Sequence, residues 1–190
     1  LTSIRETVPE NPASTFRETA TMESRAKLFG HALHQQLIVF PLGLLGTAVI
    51  FDLMTVFLDN LRWTEIAFYM IGAGIIAGLV AAIFGTIDYL AIPQGTRAKR
   101  IGAMHGIGNV VVILLFGASW LLRWNDPANP PSGAFAASYA GFALAAFTGW
   151  LGGELVDRLG VGVDEGAHLD APNSLSGRPA RTSNPDFRRA

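Results

Sequence analysis

Four runs of apolar residues, Leu37–Leu58, Ile66–Leu90, Ile101–Leu122 and Ala134–Val156, divide the chain. Each is 22 to 25 residues long and almost uncharged, and the charge gathers in the tails and short connections. About 20 residues of helix cross roughly 30 Å of hydrocarbon. A helix that long and apolar on every side has no face to offer water. The pattern predicts four transmembrane helices, at about 37–58, 66–90, 101–122 and 134–156. The first connection, "DNLRWTE", is short enough to force antiparallel neighbours. The second, "AIPQGTRAKR", carries Pro93 and Gly95 as breakers, and the third, "RWNDPANPPSG", is rich in turn formers. The expected fold is all-α: an integral-membrane, up-down four-helix bundle over residues 24–158. Polar tails flank it, a disordered one at 1–23 and a flexible one at 159–190.

Charge gives the bundle a direction. Of the fourteen Lys and Arg residues, only Arg62 and Arg123 lie at the end reached by the first and third connections. The others, including Arg97, Lys99 and Arg100, lie at the end that carries both termini, so both termini are expected in the cytoplasm of a cell whose inner membrane holds the protein. Trp63, Trp120, Trp124 and Trp150 stand near the ends of the runs, where interfacial aromatics belong. The first 36 residues are polar and predict no cleavable signal peptide. Met22, just ahead of the first run, is a candidate translation start in place of Leu1, which the intact mass of the native protein would check.

Small residues mark the packing seams. Gly74, Gly78, Ala81 and Gly85 recur along the second run, and Ser138, Gly141, Ala145, Gly149 and Gly152 along the fourth. Close helix packing accounts for them. Polar residues at membrane depth need a different reason, because an isolated ionisable group in hydrocarbon costs several kcal/mol. His31 and His34 open the first helix, in "FGHALHQQLIVFP", and Asp88 ends the second. His105 lies a turn into the third, with Asn109 one turn deeper on the same face, and Glu154 ends the fourth. All six fall at the basic end of the bundle.

Three chemistries fit that cluster. Imidazoles from two helices suit the axial positions of a non-covalent b-type haem, and His with carboxylate also suits a metal ion such as iron or zinc. His34 and His105 are the candidate ligands, with His31 as an alternate or additional one. Asp88, Asn109 and Glu154 would orient them, and Arg97, Lys99 or Arg100 would meet haem propionates or lipid headgroups. Alternatively the same groups satisfy one another as a polar network, His105 with Asp88, or they line a proton or ion path. Asp52 lies in the outer half of the first helix, nominally on the face of His34. Pro41 is expected to kink that helix. Arg62 and Arg123 are the available counter-charges for Asp52, which predicts a structural clamp.

The absence of cysteine excludes disulfides, c-type haem and thiolate-held clusters. His168, in "DEGAHLD", reads as part of a solvated acidic turn. No phosphate loop, hydrolase pattern or nucleic-acid module is visible, so nothing marks the chain as an enzyme by itself or as a nucleic-acid binder.

The segments "GHALHQQLIVFPLGLLGTAVIFD", "FGTIDYLAIPQGTRAKRIGAMHGIGNV" and "RLGVGVDEGAHLDAPNSLSG" resemble a bacterial membrane family, domain of unknown function 2231, over about residues 24–178. The family pattern has two histidines each followed by proline, a Phe-Pro pair, an Asp, a Gly-x-x-Asp and a His-x-x-x-Asn. These fall on His31, His34, Phe40-Pro41, Asp52, Gly85 with Asp88, and His105 with Asn109. Ala32 and Gln35 depart from the prolines, which favours a continuous helix through both histidines. The resemblance implies a four-helix inner-membrane protein without an assigned activity. Some relatives carry a Rieske-type domain, which implies electron transfer and a redox partner protein. The leading expectation is a small membrane protein that holds haem or a metal ion for electron transfer; the alternative is a non-enzymatic scaffold or small ion-coupled transporter.

Overall fold

The computed structural model describes residues 21–181. Residues 1–20 of the expected N-terminal tail, and residues 182–190, lie outside the described residues. A two-stranded hairpin, β1 (Lys27–Leu28) and β2 (His31–Ala32), leads into a short helix α1 (Leu33–Leu37). Four long helices follow: α2 (Val39–Leu58), α3 (Arg62–Ala91), α4 (Arg97–Leu122) and α5 (Ser132–Gly153), the last continued by a π-helical turn at Glu154–Arg158. The chain is a four-helix membrane bundle. With α1 counted with α2, and the π turn with α5, the candidate spans run 26, 30, 26 and 27 residues. They outrun the apolar runs because polar residues extend each helix at its start, and Asp157 and Arg158 extend the fourth at its end.

The first span is not one continuous helix. It breaks at Ile38, between α1 and α2. Pro41 explains the position, since its ring collides with the carbonyl four residues back, at Leu37, and it has no N–H to give. The two histidines are also divided, His31 in β2 and His34 in α1.

The bundle is built from two hairpins. α2 packs closely on α3 and α4 on α5, while contact between the two pairs is thinner. Leu45, Ala48, Val49, Ala67, Ile71, Val112 and Phe116 form the buried core. Most other large apolar side chains face outward, among them Phe40, Phe57, Ile76, Ile107 and Leu114. A soluble bundle would bury these; here lipid covers them.

The hairpins repeat each other. Leu45 fills the space left by Gly74, and Phe116 the space left by Gly141. Residue 116 is 71 beyond 45, and 141 is 67 beyond 74. The same two offsets recur at the functional site below. The arrangement is that of a parallel internal repeat, two copies of a helical hairpin side by side in the membrane.

Residues 159–181, expected as a flexible tail, lie against residues 21–31. Met22 N–H donates to Gly160 O at 3.0 Å, and Gly162 N–H to Met22 O at 2.6 Å. Lys27 pairs with Glu23 at 2.8 Å and with Asp164. Its bond to Lys27 holds the Glu23 carboxyl below the usual range, with help from the Glu165 backbone N–H. Burial pulls the Lys27 ammonium down, but the Asp164 and Glu23 carboxylates outweigh it and leave it raised. The terminal segments form a cap over the basic end.

Candidate functional site: paired imidazoles at the basic end

His34 on α1 reaches across to α3, where its Nδ1 lies 2.9 Å from the main-chain oxygen of Ala81. His105 on α4 does the same toward α5, with Nδ1 2.8 Å from Thr148 O. A carbonyl oxygen only accepts, so Nδ1 is the protonated nitrogen in both rings. In a neutral ring, Nε2 then carries the lone pair.

The sequence allows both bonds in the same way. Four residues beyond each acceptor stands a glycine, Gly85 after Ala81 and Gly152 after Thr148. A Cβ at Gly85 would lie 2.8 Å from the His34 ring, and one at Gly152 would lie 3.2 Å from the His105 ring. Each imidazole therefore occupies the place of a missing side chain, one turn from the carbonyl that it binds. Residues 34 and 105 are again 71 apart, and 81 and 148, like 85 and 152, are 67 apart. The two rings occupy equivalent positions in the two hairpins. Their centroids are 6.3 Å apart and their planes perpendicular.

Asn109 braces His105. Its amide nitrogen donates to the His105 carbonyl at 2.9 Å and lies 3.2 Å from Nε2, while its oxygen accepts from Thr148 Oγ1 at 3.1 Å.

Asp88 does something else. The expected contact with an imidazole is replaced by a grip on the N-terminal segment. Its carboxylate accepts from Ser24 Oγ at 2.8 and 2.9 Å and from Arg25 N–H at 2.8 Å. The reading of residues up to 23 as a tail missed this partner, which begins one residue later. Asp88→Ala should release the cap strand. Trypsin would then cut after Arg25 and Lys27 several-fold faster than in the parent protein, a rate read by mass spectrometry.

The other expected participants also have local partners. Glu154 pairs with Arg97, not with a histidine. Lys99 Nζ donates to Tyr89 O at 2.8 Å and lies over the Tyr89 ring. Arg100 is exposed. His31 is exposed too, with Nε2 3.5 Å from Ser174 Oγ in the cap. Among the described residues, no group of three or more His, Asp or Glu side chains is placed to hold a metal ion.

At the far end, Arg123 Nη1 and Nη2 donate to the two oxygens of Asp52 at 2.8 and 2.7 Å, with both side chains fully buried. Ser138 Oγ donates to Asp52 as well, at 2.8 Å. The expected clamp forms with Arg123, and Arg62 is exposed. Residues 52 and 123 are also 71 apart. The repeat thus brings like to like at the basic end and opposite charges together at the other.

A four-span bundle of two repeated hairpins, with an imidazole pair at one end and a buried ion pair at the other, defines a class of small polytopic membrane protein. Residues 30–165 match the family described as "Predicted membrane protein (DUF2231)". That match covers most of the chain, and the protein belongs to this family. No curated protein and no solved structure matches the chain.

Proposed function

We propose that His34 and His105 would hold a non-covalent b-type haem, and that the protein carries electrons. The 6.3 Å separation of the imidazole centroids is the observation that carries this reading. That spacing would let both rings share one metal-bearing group, since a metal–imidazole nitrogen bond is about 2 Å. The Nδ1–H bonds to main-chain oxygens supply what such ligands need: a fixed tautomer, a fixed ring plane and an Nε2 lone pair. Zinc or non-haem iron asks the protein for three or four ligands, and no such group is assembled among the described residues. A haem asks for two, because its own nitrogens supply the rest. When bound, it supplies one-electron chemistry. The chain's part is to fix the imidazoles and screen them from water with the cap. The excess of Lys and Arg favours a cytoplasmic location for this end, in a bacterial inner membrane, where a soluble redox protein is the fitting partner.

A polar network is the second reading, favoured by the 3.2 Å approach of the Asn109 amide nitrogen to His105 Nε2. There the imidazoles fix helix packing, and the protein serves as a scaffold or transporter. The visible spectrum and iron content of the untagged protein in mild detergent separate the two. The haem reading expects a Soret band and about one iron per chain, with both abolished in His34→Ala and His105→Ala while helicity is retained. The perpendicular rings further predict a strongly anisotropic low-spin ferric signal in electron paramagnetic resonance. A folded, colourless, iron-free protein from haem-replete cells would leave the network reading standing.

A further inference from the structure

We propose that the tip of the N-terminal hairpin, Leu28-Phe29, is an interfacial anchor that inserts into the lipid of the membrane that the bundle spans. The turn itself raises the question. Its two central residues, Phe29 and Gly30, have φ of +52° and +83°, the signature of a type I′ hairpin. Glycine suits the second position, but the first usually takes Asn, Asp or Gly. A bulky aromatic residue with positive φ is a genuine outlier and points to function. Here the strained residue is also displayed: Phe29 is 72% exposed, flanked by half-exposed Leu28. Leu175, equally exposed, comes from the cap on the residue next to Ser174, whose Oγ donates to Phe29 O at 3.1 Å. Exposed Leu28, Phe29 and Leu175 thus come from two segments that meet at this turn.

The place of the turn, just ahead of the first span, identifies its occupant. Gln36 Nε2 on α1 donates to the carbonyls of Leu28 and His31, at 3.4 and 3.2 Å. The hairpin is therefore tied to α1, and its tip stands four residues before Leu33, where the first candidate span opens. Phe40 lies two turns into that span and, with Val39 and Leu42, faces lipid. The patch continues that lipid-facing surface into the headgroup region, where an aromatic ring is favourably placed. Leu33 N–H, which opens α1, donates to Ala26 O at 2.8 Å. An anchored hairpin would thereby fix the height of α1 and of His34.

The chain has no cysteine, so single spin labels are easily placed. Phe29→Cys, labelled with a nitroxide and reconstituted in phosphatidylethanolamine–phosphatidylglycerol vesicles, is compared with Phe40→Cys and Leu169→Cys. Residue 40 faces lipid, and Leu169 is fully exposed in the cap. The proposal expects the ratio of oxygen to nickel-chelate accessibility at 29 to rise several-fold above that at 169, toward the value at 40. A ratio equal to that at 169 overturns it and makes the patch a surface for a soluble partner. Should Phe29→Cys fail to fold, Leu28→Cys is read by the same criterion.

Discussion

Asp52→Ala should destabilise the bundle by about 3–5 kcal/mol, the range found when one partner of a buried ion pair is removed. Arg123→Ala should do the same. Each side chain is fully buried, and they meet through two parallel charge-assisted bonds. Removing either strands the other charge at membrane depth, where neither water nor an exposed arginine can replace it. Ser138 can still donate to an orphaned Asp52, and Ser119 Oγ lies 3.3 Å from Arg123 Nε; neither hydroxyl neutralises a charge. The double replacement Asp52→Leu with Arg123→Met removes both charges and fills the space with apolar volume, so it should recover most of the loss. Unfolding of the parent, the two single variants and the double variant in one detergent shows how much of the loss is recovered. If the double variant is as unstable as the two single losses added together, the pair is not the clamp described.

This clamp was half legible in the sequence. Asp52 needed a counter-charge, and only two arginines lay at that end of the bundle. The choice of Arg123 depended on which way the last turn of α4 faces, and the all-round apolar surface of these helices leaves no stripe to reveal that. A signal was nonetheless present. Residues 34 and 105 are as far apart as 52 and 123. The repeat behind that spacing is hidden because one equivalent pair matches in type and the other is opposite in charge. The fold was legible for the reason the membrane is demanding: four long uncharged runs have few other solutions.

The site shows where such reading stops. Counting residues from the basic end puts His34 and His105 at that end, and their ring centroids lie 6.3 Å apart. Their hydrogen-bond acceptors could not be named, because every residue has a carbonyl. Only glycines at the right offset expose the two that are used. Asp88 was misplaced for a different reason. Its position on the glycine seam pointed into the bundle, but residues 24–26 fold back to occupy it. The low hydrophobicity of that segment concealed a structured role, since its stability comes from hydrogen bonds to one carboxylate, not from an apolar face.

Gly85→Ala should undo the His34 seat with a single methyl group. The new Cβ would stand 2.8 Å from both Cε1 and Nδ1 of His34, well inside contact distance, so the ring must leave the Ala81 carbonyl or the helices must part. Overpacking of this kind costs about 1–3 kcal/mol, partly offset by the better helix propensity of alanine, worth about 1 kcal/mol. Gly43→Ala measures that offset alone, because nothing lies within 4 Å of its Cβ position. Gly152→Ala, with its nearest ring atom at 3.2 Å, should fall between them. The expected order of unfolding temperatures is Gly43→Ala highest and Gly85→Ala lowest. Equal temperatures for Gly43→Ala and Gly85→Ala would mean that His34 has no fixed seat. The spectrum then adds what stability cannot. If the imidazoles hold haem, Gly85→Ala should also change the visible spectrum, because His34 would lose its place. A scaffold would lose only stability, and the one methyl group distinguishes a ligand from a strut.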